Sequence, residues 1–254
     1  MPIQKESKVI KSSYYGNWAD IFGYPLANLL LQIIKNLKFI TPNAVTWFSF
    51  FIFTAGCLSL FVQYPMHLYF ASIGIFLGYI GDDLDGQLAR ERNMSSNFGD
   101  FLDKVLDVLK IFIITFSLSL AVFLKTDNIL FIYLGFAACF FFMFRYYIKL
   151  ATLFGRIDLD SSYLSKSAQK REQLEKKINK LTFLNSLWIR NRIILFVDEA
   201  EFAVFTSLGA LFNRLDLALW ILAVSQIVIA FWRFWERGHQ VSKNSGKLLE
   251  PLRK

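Results

Sequence analysis

Long apolar stretches separated by short polar segments dominate this chain. Each comes near or above the ~20 residues that an α-helix needs to cross the hydrocarbon of a bilayer. Because the stretches lack the alternating pattern of barrel strands, only helices satisfy their backbone in lipid. The pattern predicts an all-α polytopic membrane protein with six transmembrane helices, at residues 44–64, 66–83, 103–124, 128–148, 193–212 and 216–235.

Two further helices are predicted outside the spans. Residues 14–40 carry apolar positions at helical spacing and end in basic residues, which is typical of an amphipathic helix lying in the membrane interface. Residues 165–181 are polar with helical charge spacing, as in Glu172 and Lys176, and favour a cytoplasmic helix. The chain therefore divides into a cytoplasmic N-terminus with the interfacial helix, a membrane domain that includes a cytoplasmic loop, and a cytoplasmic tail, at residues 1–43, 44–238 (loop 151–192) and 239–254.

The composition agrees with a membrane location. Hydrophobic residues make up 55% of the 254 residues, and the mean hydropathy of +0.40 is far above that of soluble proteins. A net charge of +8 suits either nucleic acid or an anionic membrane surface, and the hydropathy favours the membrane. We therefore expect membrane lipids, and no nucleic acid, as partners. Cys57 and Cys139 lie in apolar runs, so no disulfide framework is predicted.

The distribution of basic residues predicts the orientation. The short connections after the first, third and fifth spans carry only Lys125 and Arg214, whereas the other loops and the termini hold most of the remaining Lys and Arg residues. By the positive-inside rule, both termini and the acidic segment at residues 81–107 are expected on the cytoplasmic side.

That acidic segment contains six aspartates between two apolar runs. Asp82 and Asp85 are three residues apart, and Asp103 and Asp107 are four apart, so each pair shares one face of a helix. A polar turn separates the pairs, which predicts neighbouring antiparallel helices whose four carboxylates face one small volume at the cytoplasmic boundary. The remaining two, Asp83 and Asp100, fall on other faces.

Four converging carboxylates require compensating cations. Oxygen ligands favour hard ions such as Mg²⁺, Mn²⁺ or Ca²⁺, and two ions ~3.5–4 Å apart form a clamp for phosphoryl chemistry. Gly86 and Gly99 make room for a substrate or for helix packing, and the guanidinium of Arg90 can bind phosphate oxygens. The alternative is a set of ion pairs in the headgroup region, with Arg90, Arg92, Lys104 and Lys110 as partners. Ionisable groups within membrane helices favour the functional interpretation.

The same residues resemble a known family. The pattern Asp82-x-x-Asp85-Gly86-x-x-Ala89-Arg90, followed by Gly99-x-x-x-Asp103-x-x-x-Asp107, looks like the complete signature of the CDP-alcohol phosphotransferase family. Residues 41–50 are also similar to the start of the family's first span. The resemblance implies that an acceptor hydroxyl attacks the β-phosphate of a CDP-alcohol and releases CMP, with two Mg²⁺ or Mn²⁺ ions as cofactors.

Residue roles follow from the resemblance. It implies that Asp82, Asp85 and Asp103 bind metal, and that Asp107 contacts the second ion and acts as general base. The residues implied to line the nucleotide and diphosphate are Gly86, Ala89, Arg90, Gly99, Pro42, Asn43 and Thr46. The last three also read as a Pro-containing turn that opens a helix.

The acceptor is left open by the sequence. Residues 145–158 resemble an element of inositol-phosphate members, which makes Arg145, Lys149 and Arg156 either phosphate contacts or basic residues that snorkel to the headgroups. Asp198 and Glu201 fit acidic positions of members with phosphorylated acceptors, but Glu199 and Phe202 stand where those members have arginines. This argues against an inositol-phosphate acceptor. The alternatives are that Asp198, Glu199 and Glu201 recognise a polyol or an amine headgroup, or that they pair with Arg190 and Arg192.

The predicted function is therefore transfer of a phosphoalcohol group in phospholipid or polar-lipid synthesis. The expected partners are a CDP-alcohol donor such as CDP-diacylglycerol, a hydroxyl acceptor, and a second copy of the chain in a homodimer. Two alternatives are a Mg²⁺-dependent polyprenyl-group transferase and a cation transporter whose aspartates line an ion path.

Overall fold

The computed structural model describes residues 18–37, 39–62, 64–157 and 199–243. Within these ranges the secondary structure is helical, which confirms the predicted all-α class. The helices are α1 (Trp18–Ile34), α2 (Pro42–Ser59), α3 (His67–Glu91), α4 (Asn97–Thr126), α5 (Leu130–Ile157), α6 (Glu199–Leu211) and α7 (Leu215–Lys243). The predicted cytoplasmic helix at residues 165–181 lies outside the described residues.

Three of the described helices are long and apolar enough to cross a membrane. They are α4 over its whole length, α5 over Leu130–Leu153, and α7 over Leu215–His239. The chain is an integral membrane protein on this basis. Predicted spans one, two and five coincide with α2, α3 and α6, where polar residues or the start of the described range shorten the apolar window. Six crossings therefore stay a prediction.

Helices α2 and α3 approach each other through glycines. A Cβ atom built on Gly56 would lie 2.6 Å from the backbone nitrogen of Ile75, and one on Gly74 would lie 2.9 Å from the Cα of Gly56. Only glycine allows backbones this close, as at small-residue interfaces in membrane bundles. This contact sets the position of α3, the helix that carries Asp82 and Asp85.

The N-termini of α2 and α4 begin at side-chain caps. Thr41 precedes Pro42, the first residue of α2, and its hydroxyl oxygen accepts a hydrogen bond from the backbone N–H of Ala44 at 3.3 Å. Ser96 accepts in the same way from the N–H of Gly99 at 3.0 Å. Such caps satisfy one of the free N–H groups of the first turn and define where each helix starts.

Helix α1 packs on α3 with one apolar face and exposes another. Ala27 and Leu31 are buried with Ile80, Leu84 and Leu88 of α3. Leu29 and Ile33 are more than 60% exposed on the other side. Apolar surface on both faces suits a helix at the boundary of protein and lipid, and the interfacial position stays a prediction.

The helices of the acidic segment are arranged differently from the expected close pair. Among the described helices, α3 packs mainly on α2, α6 and α1, whereas α4 packs mainly on α5 and α2. Residues 92–96 join α3 to α4, but the two backbones do not form one of the main helix contacts. The glycine contact holds α3 against α2. The acidic side chains of α3 and α4 therefore meet although the two helix backbones are not closely packed.

Candidate active site

Three of the predicted metal ligands converge between α3 and α4. One carboxylate oxygen from each of Asp82, Asp85 and Asp103 lies within 4.8 Å of the other two. The i, i+3 spacing on α3 aims Asp82 and Asp85 to one side, and Asp103 reaches the same volume from the first turns of α4. This spacing of oxygens is compatible with a single cation bound by all three carboxylates.

The fourth aspartate, Asp107, is joined to this group through a lysine. The ammonium of Lys110 contacts Oδ1 of Asp82 and lies 3.2 Å from Oδ1 of Asp107. Lys110 is only 7% exposed. Of the ion pairs considered from the sequence, the one with Lys110 is therefore present, but it involves two of the four carboxylates and leaves the convergence of the others to be explained.

The residues present fit a divalent cation. Asp85 is 7% exposed, and its buried Oδ2 atom accepts no hydrogen bond from the described residues. Thr46 of α2 lies beside this carboxylate, while its hydroxyl also donates to the carbonyl of Pro42 at 3.1 Å. A buried carboxylate oxygen without a donor is costly, and a hard cation bound by oxygen ligands removes that cost. Mg²⁺ and Mn²⁺ suit such a donor set.

Several residues predicted to line the nucleotide and diphosphate lie near one another at the ends of α2, α3 and α4 that face the carboxylates. A Cβ on Gly86 would lie 3.3 Å from a guanidinium nitrogen of Arg90, so the Arg90 side chain folds back over Gly86. A Cβ on Gly99 would lie 3.4 Å from Oδ1 of Asn43, so the first turns of α2 and α4 are neighbours. Ala89 accepts a hydrogen bond from the N–H of Met94 at 2.8 Å in the turn that follows α3.

Two of the basic residues considered as partners do not contact the four converging aspartates in the interactions described. Lys104 pairs with Asp100 on the exposed side of α4. Arg92 donates to the carbonyl oxygens of Ile34, Lys35, Leu37 and Ile40, at the end of α1 and in the turn before α2. A cation at a helix C-terminus satisfies free carbonyls and opposes the helix dipole. No local pattern in the sequence predicts this long-range cap.

The predicted acceptor residues lie on α5 and α6. Arg145 sits 5.0 Å from the centre of the Phe142 ring, and Lys149 sits 5.1 Å from that of Tyr146. Glu201 is 4% exposed at the start of α6. Asp198 and the Arg156 side chain fall outside what the structure describes.

Tyr146 of α5 is a residue near the candidate site that no sequence pattern singled out. It interacts electrostatically with Asp107 and Lys104 of α4 and with Glu199 of α6. It therefore lies between Asp107 of α4 and the start of α6. The adjacent basic residues drew attention to this part of α5, but a tyrosine in an aromatic-rich span carries no signal of its own.

The family of the chain follows from comparison with known proteins. Residues 39–184 match the CDP-alcohol phosphatidyltransferase family, a range that covers more than half of the chain and includes α2 to α5 with all four aspartates. The chain belongs to this family. The match confirms the resemblance seen in the aspartate spacing, and the family's name describes phosphatidyl transfer from a CDP-alcohol.

Two individual comparisons add to this. A segment of 68 residues, 27% of the chain, is 35% identical to an uncharacterized protein of Aquifex aeolicus (strain VF5), and it spans about a third (33%) of that relative. The fold is similar to the crystal structure of Mycobacterium tuberculosis phosphatidylinositol phosphate synthase with CDP-DAG bound. The TM-score is 0.51 at 17% identity, over 85% of this chain and 94% of that one. Identity this low shows a shared fold only.

Proposed function

We propose that this chain transfers the phosphatidyl group of CDP-diacylglycerol to an acceptor hydroxyl and releases CMP. The observation that carries the proposal is the convergence of Asp82, Asp85 and Asp103, with Asp107 beside them, in a membrane protein of this family. The crystal structure of the mycobacterial synthase, determined with CDP-DAG bound, supports CDP-diacylglycerol as the first donor to test.

The transfer exchanges one phosphorus–oxygen bond for another. The acceptor oxygen bonds to the β-phosphorus, the bond from that phosphorus to the bridging oxygen breaks, and CMP leaves with the electron pair. Asp107 takes the proton of the acceptor hydroxyl. Its contact with Lys110 is through Oδ1, so Oδ2 is the oxygen that serves as general base.

Asp82, Asp85 and Asp103 would hold Mg²⁺ or Mn²⁺. When bound, such an ion offsets the charge of the diphosphate and of the departing CMP. The family resemblance implies two ions, with Asp107 at the second. The contact between Lys110 and Asp107 affects whether a second ion can bind there.

The remaining residues bind and orient the donor and acceptor. The fold of Arg90 over Gly86 supports a role in binding diphosphate oxygens, and the closeness of Asn43 to Gly99 and of Thr46 to Asp85 supports donor binding along α2. The donor-binding set is Gly86, Ala89, Arg90, Gly99, Pro42, Asn43 and Thr46. The acceptor-binding set is Arg145, Lys149, Asp198 and Glu201, and the position of Tyr146 near Asp107 supports this side of the site.

The proposal extends to topology and assembly. Six crossings with both termini and the active site in the cytoplasm agree with the distribution of basic residues. A homodimer is proposed from the family and from the prevalence of two-fold symmetry among oligomers. Light scattering of the detergent-solubilised protein should give twice the 29.5 kDa chain mass after subtraction of detergent.

A substrate panel tests the function. Purified protein is incubated with CDP-diacylglycerol, CDP-inositol or CDP-choline, each against a set of polyol, amino-alcohol and phosphorylated acceptors, with Mg²⁺ or Mn²⁺. We expect CMP release with CDP-diacylglycerol and at least one acceptor, and none after chelation of the metal. Ion flux in vesicles without CMP would instead indicate a transporter, and turnover of a polyprenyl diphosphate would indicate the other transferase class.

A further inference from the structure

Lys110 contacts two of the four aspartates of the site at once, one on each of two helices. It lies one turn beyond Asp107 on α4, toward the middle of the membrane span. Its ammonium contacts one oxygen of Asp82 on α3 and one oxygen of Asp107 on its own helix. Lys110 therefore bridges the two helices at the deep end of the cluster.

This bridge divides the four carboxylates into two groups. Among the described residues, the oxygens close enough to share one ion belong to Asp82, Asp85 and Asp103. Asp107 is outside that group and shares the ammonium of Lys110 with Asp82. A second divalent ion would bind between Asp82 and Asp107, and the side-chain nitrogen of Lys110 lies there instead.

The neighbours of Lys110 on its own face of α4 are apolar and buried. Leu106 and Ile114, one turn away on the same face of α4, are 2% and 0% exposed, and the adjacent Ile111 is 2% exposed. A lysine displaced from its carboxylates would lie among these apolar side chains, which is strongly unfavourable within a membrane span. A divalent ion that bound beside it instead would be repelled by its charge.

We propose that Lys110 is a built-in second cation, so that each chain binds one divalent ion, through Asp82, Asp85 and Asp103, instead of two. The inference rests on the proposed function for the identity of the site. It assigns Lys110 as a positioning residue, which holds Oδ1 of Asp107 and leaves Oδ2 to the acceptor hydroxyl.

Counting bound Mn²⁺ tests this directly. Purified full-length protein in detergent is titrated with Mn²⁺, and free Mn²⁺ is measured by electron paramagnetic resonance. The unmodified chain is expected to bind one ion, and Lys110→Met, which keeps the length of the side chain and removes its charge, is expected to bind two. Lys104→Met is the matched control: the same substitution on the same helix removes the exposed pair with Asp100, and the count should stay at one.

Each result decides the question. Two ions in the unmodified chain overturn the inference even if Lys110→Met does not fold, and so does a count of one in a folded Lys110→Met. Binding of no ion overturns it as well. CMP release is measured on the same preparations: release by the unmodified chain with two ions bound refutes the role of Lys110 and leaves the proposed function standing. One ion bound without CMP release from any donor supports the role of Lys110 and contradicts the proposed function.

Discussion

Asp107 and Asp100 lie on the same helix in opposite surroundings. Asp107 is partly buried and contacts Lys110, whereas the Asp100 side chain is 67% exposed and pairs with Lys104. Exposed ion pairs of this kind contribute little to stability. The two residues therefore offer a direct comparison of a carboxylate inside the site with one just outside it.

We expect Asp107→Asn to lower the rate of CMP release by about 10²–10⁴-fold, because the amide cannot accept the acceptor proton. Asp100→Asn should leave the rate close to that of the unmodified chain. Both are measured with CDP-diacylglycerol and the acceptor found in the substrate panel. Near-normal turnover in folded Asp107→Asn would show that another group is the base.

Asp85 should be needed for the metal and not for the fold. Its Oδ2 atom is buried without a donor, so Asp85→Asn removes a charge that costs stability when no cation is bound. We expect an unchanged or higher melting temperature in EDTA, and a loss of most of the stabilisation that Mn²⁺ gives to the unmodified chain. Thermal unfolding with and without Mn²⁺ measures both. A metal-dependent rise as large as that of the unmodified chain would remove Asp85 from the ligand set.

At the scale of helices, two devices hold the site in position. The close approach of Gly56 and Gly74 fixes α3 on α2, and the four carbonyls bound by Arg92 fix the end of α1 beside the turn into α4. Neither device touches the carboxylates. Both set the relative positions of helices, which decide whether the aspartates of α3 and α4 meet.

Two glycine-to-alanine substitutions should have opposite effects. In Gly56→Ala the new Cβ would lie 2.6 Å from the Ile75 nitrogen, so α2 and α3 must separate, at a cost of about 1–3 kcal/mol. In Gly238→Ala, on α7, the Cβ has no atom within 4 Å, and the better helix propensity of alanine stabilises the helix by up to ~1 kcal/mol. Thermal unfolding in one detergent compares them, and equal melting temperatures would contradict the close packing of α2 and α3.

At the scale of the whole molecule, the two ends of the helix bundle carry different residues. The acidic site, the first turns of α2 and α4, and Arg92 lie at one end. The turns after α2, α4 and α6 lie at the other end, where Lys125 donates to Asn213 at 2.9 Å. The distribution of basic residues predicts that the first end is cytoplasmic.

Cysteine labelling tests this orientation. Met94, between α3 and α4, is 48% exposed, and Ile129, between α4 and α5, is 55% exposed. With a membrane-impermeant maleimide on intact cells, Ile129→Cys should be labelled and Met94→Cys should be labelled only after permeabilisation. The unmodified chain, whose Cys57 is fully buried, is the blank. The reverse pattern would place the active site outside the cell.

The sequence by itself determined the helices, the acidic site and the family. Hydropathy marks membrane helices because lipid requires internal backbone hydrogen bonds, and i, i+3 and i, i+4 spacings place Asp82 with Asp85 and Asp103 with Asp107 because the helical repeat is regular. Both are local properties, readable without knowing what packs against what. The family match over residues 39–184 confirms what that spacing indicated.

Only the tertiary structure decided which side chains meet across helices. The bridge from Lys110 to Asp82, the capping of α1 by Arg92, and the placement of Tyr146 near Asp107 each join residues far apart in the chain or on different helices. They depend on how each helix is rotated and how closely it packs, as in the glycine contact between α2 and α3. The periodicity of the sequence predicts which residues share a face of a helix. Only the packing of the helices determines which residues that face contacts.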